Sequence, residues 1–205
     1  MSSPIDFYFD FSSPYGYLAS TRIEAIAEKH GRTVNWQPIL LGAIFKVSGQ
    51  APLTTYPLRG AYALHDFARA ARENNTPFQM PDPFPVGAVA ASRACCWLKA
   101  SDDPQHDHAR LTKFVHGIFH AFYVDNQNIS DVEVVLAVAK SVQINTEAMA
   151  AGLADQSIKD ALKSAVEQAI ERGIFGSPTT VVDEELFWGN DRLEQVDRWL
   201  SRGGW

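Results

Sequence analysis

The stretch from Ile5 to Pro38 constrains the fold more than any other part of the chain. Ile5, Phe7, Phe9 and Phe11 alternate with Asp6, Tyr8 and Asp10, which is the period of a strand. Ser12-Ser13-Pro14 then interrupts the pattern. Proline suits the first position of a helix, and a serine before it can cap the free backbone N–H groups. A helix is therefore predicted from Pro14, with Leu18, Ile23 and Ile26 near one face and His30-Gly31 as its stop. A second strand is predicted over Thr33 to Pro38. Strand, helix, strand requires a crossover connection, so the two strands should pair in parallel.

From about Tyr56 to Ile170 the pattern is helical, with almost no strand signal. Leu111, Phe114, Val115, Ile118, Phe119 and Phe122 form one apolar stripe at helical spacing. Ser130-Asp131-Val132-Glu133 reads as a capping box, and Ser157 as the start of a helix ending near Gly173. Pro77, Pro81, Pro83 and Pro85 mark a loop. Strand character returns at Thr179–Val182 and Glu185–Trp188, joined by a turn at Asp183-Glu184. Gly189-Asn190-Asp191 offers capping residues for a last helix carrying Leu193, Val196, Trp199 and Leu200. The order is βαβ, then helices, then ββα. The simplest reading is one sheet built by residues 1–50 and 172–205, interrupted by an all-helical insertion over 51–171.

A chain of 205 residues with 46% hydrophobic and 20% charged residues can bury a substantial core. Its net charge of -6 disfavours nucleic acid as a partner, because phosphate neutralisation needs a basic surface. No stretch is long and apolar enough to span a bilayer. Asp6, Asp10 and two early prolines argue against a signal peptide. The two cysteines, Cys95 and Cys96, are neighbours in an alanine-rich helical stretch, where a bridge between them would be strained. Buried free thiols in a reducing, cytoplasmic compartment are expected.

Two segments carry chemistry by their position. At Ser12-Ser13-Pro14 a strand delivers the chain to a helix N-terminus, where backbone N–H groups and the helix dipole favour an anion. On position alone, plain capping by Ser12 or Ser13 is the commoner role. At Gly176-Ser177-Pro178-Thr179-Thr180 a proline directly precedes a β-branched strand, although proline cannot donate to a ladder. A cis Ser177–Pro178 bond explains that placement; a trans proline at the first strand residue is the ordinary alternative.

Together these segments resemble the thioredoxin superfamily, and the insertion between the halves resembles its DsbA-like branch. The redox members carry Cys-Pro-x-Cys where this chain has Ser13, Pro14, Tyr15 and Gly16. Without those cysteines the site has no thiolate to attack a disulfide. The closer resemblance is to kappa-class glutathione transferases and 2-hydroxychromene-2-carboxylate isomerases. It is carried by Asp6–Tyr15, Pro38-Ile39-Leu40-Leu41-Gly42, Phe175-Gly176-Ser177-Pro178-Thr179 and Trp188-Gly189-Asn190-Asp191-Arg192-Leu193. These stretches run from the first strand to the last helix.

The resemblance implies a thioredoxin-like fold with a helical insertion and glutathione as cofactor. It places Ser13 at the glutathione sulfur as a thiolate stabiliser, and Ser177 and Pro178 beside the cysteinyl part. Trp188, Gly189, Asn190 and Asp191 fall at the γ-glutamyl end, where plain capping is the bland alternative for Asn190 and Asp191. The second substrate, an aromatic small molecule, is implied to sit between sheet and insertion. Lys46 is a candidate for its carboxylate and Phe84 for its ring, with a solvated surface lysine as the alternative for Lys46. Leu53-Thr54-Thr55-Tyr56 departs from the polar and basic pattern of the isomerases there. The implied activity is isomerisation of a 2-hydroxychromene-2-carboxylate-type compound by reversible thiolate addition. A kappa-like transferase and a partner-binding relic without catalysis are the alternatives, and a homodimer is implied by resemblance alone. No metal is expected: His116 and His120 share a helix face but lack further ligands. His106-Asp107-His108 reads as a polar loop leading into the next helix.

Overall fold

The computed structural model describes residues 3–101 and 107–205. Its sheet has four strands, β1 (Ile5–Phe9), β2 (Val34–Pro38), β3 (Thr179–Val182) and β4 (Glu185–Trp188), in the order β2-β1-β3-β4. β1 and β2 pair in parallel, with Ile5 opposite Val34 and Phe7 opposite Trp36. β3 runs antiparallel to β1, Phe7 facing Thr180, and β4 antiparallel to β3. The β3–β4 hairpin turns through Asp183 and Glu184 with φ of 48° and 76°, the paired left-handed geometry that matches strand twist. Arg32 holds that turn through Asp183.

α1 (Pro14–Lys29) connects β1 to β2. Between β2 and β3 lie α2 (Leu41–Ser48), α3 (Arg59–Glu73), α4 (Val89–Ala100), α5 (His108–Tyr123), α6 (Val132–Ser141), α7 (Thr146–Ala154) and α8 (Gln156–Glu171). α9 (Leu193–Arg202) closes the described chain. One face of the sheet, with Phe7, Phe9 and Trp36, shares a core with α1, α4, α5 and α9. The other face, with Tyr8 and Val181, packs on Ile158, Leu162 and Val166 of α8. The apolar stripe of α5 is buried throughout. Its Phe119 lies 5.7 Å from Phe9 and 5.0 Å from Phe11 between ring centroids. α4 and α5 thereby share the core on one face of the sheet, and α8 packs on the other.

Several local expectations are corrected. β1 ends at Phe9 rather than Phe11, because the Asp10 carboxylate accepts the Ser12 N–H and turns the chain. Ser130 is not part of a capping box. Its hydroxyl and its N–H both donate to Asn128 Oδ1, so a preceding Asx turn uses the side chain, and α6 starts after Asp131. α8 is capped by Asp155, whose carboxylate accepts the Ser157 N–H, two residues before the expected start. Asn190 and Asp191 do not cap α9 with their side chains; they form a 3-10 turn, Asn190–Arg192, ahead of it. Asp107 caps α5 by accepting the Arg110 N–H, so His108 opens the helix rather than ending the polar loop, while His106 lies outside the described residues. Among the described residues no helix is long and apolar enough to cross a membrane.

Candidate functional site

Ser13 adopts an extended backbone (φ −102°, ψ 110°) and caps α1: its Oγ accepts the Gly16 N–H at 3.0 Å. The same hydroxyl donates to the Ser177 carbonyl oxygen at 2.9 Å. The Ser177–Pro178 bond is cis, so the β3 entry turn lies directly against the start of α1. Gly16 permits this approach. A Cβ there would meet Ser177 Oγ at 2.9 Å and Ser13 Cβ at 3.1 Å. Capping and a place in the site therefore belong to the same serine, which is 5% exposed.

Asp10 ties the parts together. Its N–H donates to Ser177 Oγ at 3.0 Å and its carbonyl accepts the Ser13 N–H at 3.0 Å. Its carboxylate accepts the Ser12 N–H at 2.8 Å and the Leu41 N–H at 2.7 Å. The Leu41 bond caps α2 from outside, since Leu40 has no capping side chain. Burial pushes the Asp10 carboxyl up to about 6, against the pull of those two N–H donors.

Beyond β4 the chain makes a second wall. Gly189 has φ 122° and its N–H donates to the Pro178 carbonyl at 3.0 Å. A side chain there would be strained and would strike the Asp191 carboxylate. Asn190 is buried, yet its side-chain oxygen has no hydrogen-bond partner among the described residues. The Asp191 carboxylate is exposed and accepts from Arg192 at 3.0 Å. The Trp188 ring is half-exposed, edge-on to Phe175 at 4.7 Å, and rests over Gly176, whose lack of a side chain makes room for it.

These walls bound one cavity of about 1460 Å³. Ser13, Ser177, Pro178, Trp188, Gly189, Asn190 and Asp191 all line it. So do the two candidates for the second substrate. Lys46 is exposed at the last turn of α2 and makes no ion pair among the described residues. Phe84 sits between the cis Asp82–Pro83 and Phe84–Pro85 bonds, stacked 6.3 Å from Phe122. The loop carrying it is pinned by the Val86 N–H, which donates to Ser12 Oγ at 3.1 Å.

Other lining residues escaped the sequence reading. Tyr15 donates to Asp66 of α3 at 2.5 Å, and burial followed by that carboxylate pushes its phenol up. Arg69 pairs with the same carboxylate. Arg59 lies over the Tyr56 ring at 4.4 Å and is free of ion pairs among the described residues. Nothing in the linear pattern placed α3 over the site. Asp10 did have a signal: it is a charged residue between Phe9 and Phe11, two positions before Ser12.

The cavity offers a hydroxyl at a helix N-terminus, a carbonyl beside a cis proline, an amide oxygen unpartnered among the described residues and the exposed carboxylate of Asp191. Such a set suits an anionic sulfur at one end and an ammonium at the other. It supplies no thiol. Cys95 and Cys96 are free and buried on α4, with thiols pushed up by burial, and neither lines the cavity. His116 pairs with Glu24 at 2.5 Å and His120 with Asp125 at 3.1 Å.

Comparison with known proteins agrees with this architecture. Residues 4–201 match the family model described as the DSBA-like thioredoxin domain. A 2-hydroxychromene-2-carboxylate isomerase of Sphingobium xenophagum is 26% identical over 98% of this chain and 99% of its own. The human glutathione S-transferase kappa 1 is 25% identical over 96% and 92% respectively. A solved structure of 2-hydroxychromene-2-carboxylate isomerase superposes with a TM-score of 0.84 at 25% identity, covering 97% of this chain and 94% of that one. The chain belongs to the DsbA-like thioredoxin family.

Proposed function

We propose that this DsbA-like protein is a glutathione-dependent isomerase acting on a 2-hydroxychromene-2-carboxylate-type compound. One observation carries the reading. Ser13 Oγ, at the N-terminus of α1, lies 2.9 Å from the carbonyl before cis Pro178, in a cavity whose other wall is Trp188–Asp191. The orphaned oxygen of Asn190 fits the group: it is a buried acceptor with no protein donor, and an ammonium or amide N–H of glutathione would satisfy it.

When bound, glutathione supplies a thiolate that adds reversibly to a conjugated double bond, permits rotation, and leaves unconsumed. The protein's part is electrostatic and positional. The Ser13 hydroxyl rotates from the Ser177 carbonyl toward the sulfur while its oxygen keeps the Gly16 N–H. The Ser177 carbonyl is then free to accept an amide N–H of the cysteinyl residue. Backbone N–H groups of the first turn of α1 favour the anionic sulfur over the neutral thiol. Asp191 meets the ammonium of the γ-glutamyl end. Lys46 holds the carboxylate of the second substrate, and Phe84 covers its ring. The free thiols of Cys95 and Cys96 support a reducing compartment.

A kappa-like transferase is the second reading, favoured by Leu53-Thr54-Thr55-Tyr56 at the mouth and by the kappa-class relative. Calorimetry with glutathione tests the shared site: binding should be present in the wild type and at least tenfold weaker in Asp191→Ala. Whether glutathione is consumed during turnover then separates isomerase from transferase. No binding at millimolar glutathione would leave the fold without this function and favour a partner-binding role.

A further inference from the structure

Asp10 is a buried carboxylate that the reaction outlined above does not use. It lies at the point where three segments of the site meet. Its two carboxylate oxygens take separate backbone donors: Ser12 N–H, beside the catalytic serine, and Leu41 N–H, the first residue of the helix that carries Lys46. Its own N–H holds Ser177 Oγ, and its carbonyl holds the Ser13 N–H. It lines the cavity and is 5% exposed. No cationic side chain bonds to it among the described residues. The titratable group facing it from α5 is Tyr123, whose buried hydroxyl has no partner among the described residues and whose phenol is pushed up by burial and then by the charge of Asp10. From the start of α1 and the cis-proline turn, its hydrogen bonds among the described residues are with Ser12, Ser13 and Ser177.

A buried carboxylate without a counter-ion opposes folding, and a neutral side chain of similar shape would avoid that penalty. What the charged form alone provides is two acceptor oxygens for two fixed donors. An asparagine must point its NH2 at one of them, and a protonated carboxyl offers one of them only a weakly accepting hydroxyl oxygen.

Resting on the glutathione reading, we infer that Asp10 is a positioning residue for the sulfur site: only its ionised carboxylate holds the Ser12 and Leu41 amides together, and so keeps the Ser13 turn in register with the Ser177 carbonyl and with α2. The sulfur-binding geometry and the second-substrate wall are then joined by one proton-sensitive clamp. Glutathione binding should weaken as pH falls through about 6, the value to which burial pushes this carboxyl, because one of the two amides is released.

The test is glutathione calorimetry across pH, together with the backbone amide resonances of Ser12 and Leu41 in the ligand-free protein. In the wild type both amides should shift with one midpoint near 6, and affinity should fall several-fold through the same midpoint. Asp10→Asn should abolish both pH dependences. Leu41→Pro is the second variant. Leu41 opens α2, where proline is favoured, and Leu40 has the extended backbone (φ −116°, ψ 103°) that a following proline requires. It removes one donor and leaves the carboxylate. The Leu41 N–H lowers the carboxyl value in the wild type, so the Ser12 midpoint and the binding midpoint should both move up. Binding with the same pH profile in wild type and both variants overturns the clamp while leaving the glutathione reading intact. Absence of binding at every pH in the wild type removes the glutathione reading and this inference with it.

Discussion

At the scale of single residues, Ser13 and Asp10 show how one side chain serves structure and site together. Ser13→Ala removes a cap and, on the proposed reading, a donor to the sulfur. A lost N-cap costs about 1 kcal/mol, whereas a lost hydrogen bond to a charged group is worth about 1.5–3 kcal/mol. Turnover should therefore fall roughly ten- to a hundredfold, with a melting temperature lowered by only a few degrees. Full turnover in that variant would sink the assigned role. Asp10 behaves oppositely. Its carboxyl stands at about 6 in the folded chain against 3.8 for the ordinary side chain. Between those values the folded state holds a proton that the unfolded state has lost, so this group's contribution to stability declines as pH rises through that window. The decline is on the order of 3 kcal/mol and persists above it. Urea unfolding at pH 4 and at pH 7.5 should show Asp10→Asn gaining on the wild type by about that amount. An unchanged difference between the two curves would mean that the carboxyl titrates normally.

At the scale of elements, close approach is set by glycines rather than by hydrogen bonds. Gly16 lets the first turn of α1 meet the cis-proline turn, and Gly176 lets the Trp188 ring lie across the β3 entry. Gly176→Ala must displace that ring, which is half-exposed and contributes little to the core. Glutathione affinity should drop roughly tenfold, about 1.4 kcal/mol, with little change in the unfolding midpoint. Loss of stability without loss of affinity would show that Trp188 is a packing residue only. The order of elements was legible because periodicity reports burial directly: the stripe from Leu111 to Phe122 is buried in α5, and Thr179–Val182 is a central strand. The starts of α6 and α8 were displaced by two residues or less, because Asn128 and Asp155 compete for the same local backbone donors.

At the scale of the whole molecule, the cavity lies where the C-terminal end of β1, the cis-proline turn, the Trp188–Asp191 segment, α2 and the inserted α3 converge. Its volume exceeds the usual range of about 300–1,000 Å³ for a single small ligand, which leaves room for two small molecules side by side. Neither thiol reaches that cavity, since Cys95 and Cys96 are buried in α4. An aromatic disulfide reagent should label neither thiol in the native protein and both after unfolding. Rapid native labelling would place a reactive thiol within reach of solvent and reopen a redox role.

The sequence by itself determined the strand–helix–strand start, the closing hairpin and helix, the helical character between them, and the absence of thiols at the strand–helix junction. Those features follow from residue type and short-range spacing, which act through backbone preference and burial. Ser13, Ser177 and the Trp188–Asp191 segment were singled out from motifs, yet their meeting was decided only in three dimensions, by Gly16 and by the cis bond before Pro178. The same holds for Asp10 joining Ser12 to Leu41 and for Tyr15 joining α1 to α3. Each is a contact between segments far apart in the chain, and linear spacing carries no record of which buried polar groups will satisfy one another when the core closes.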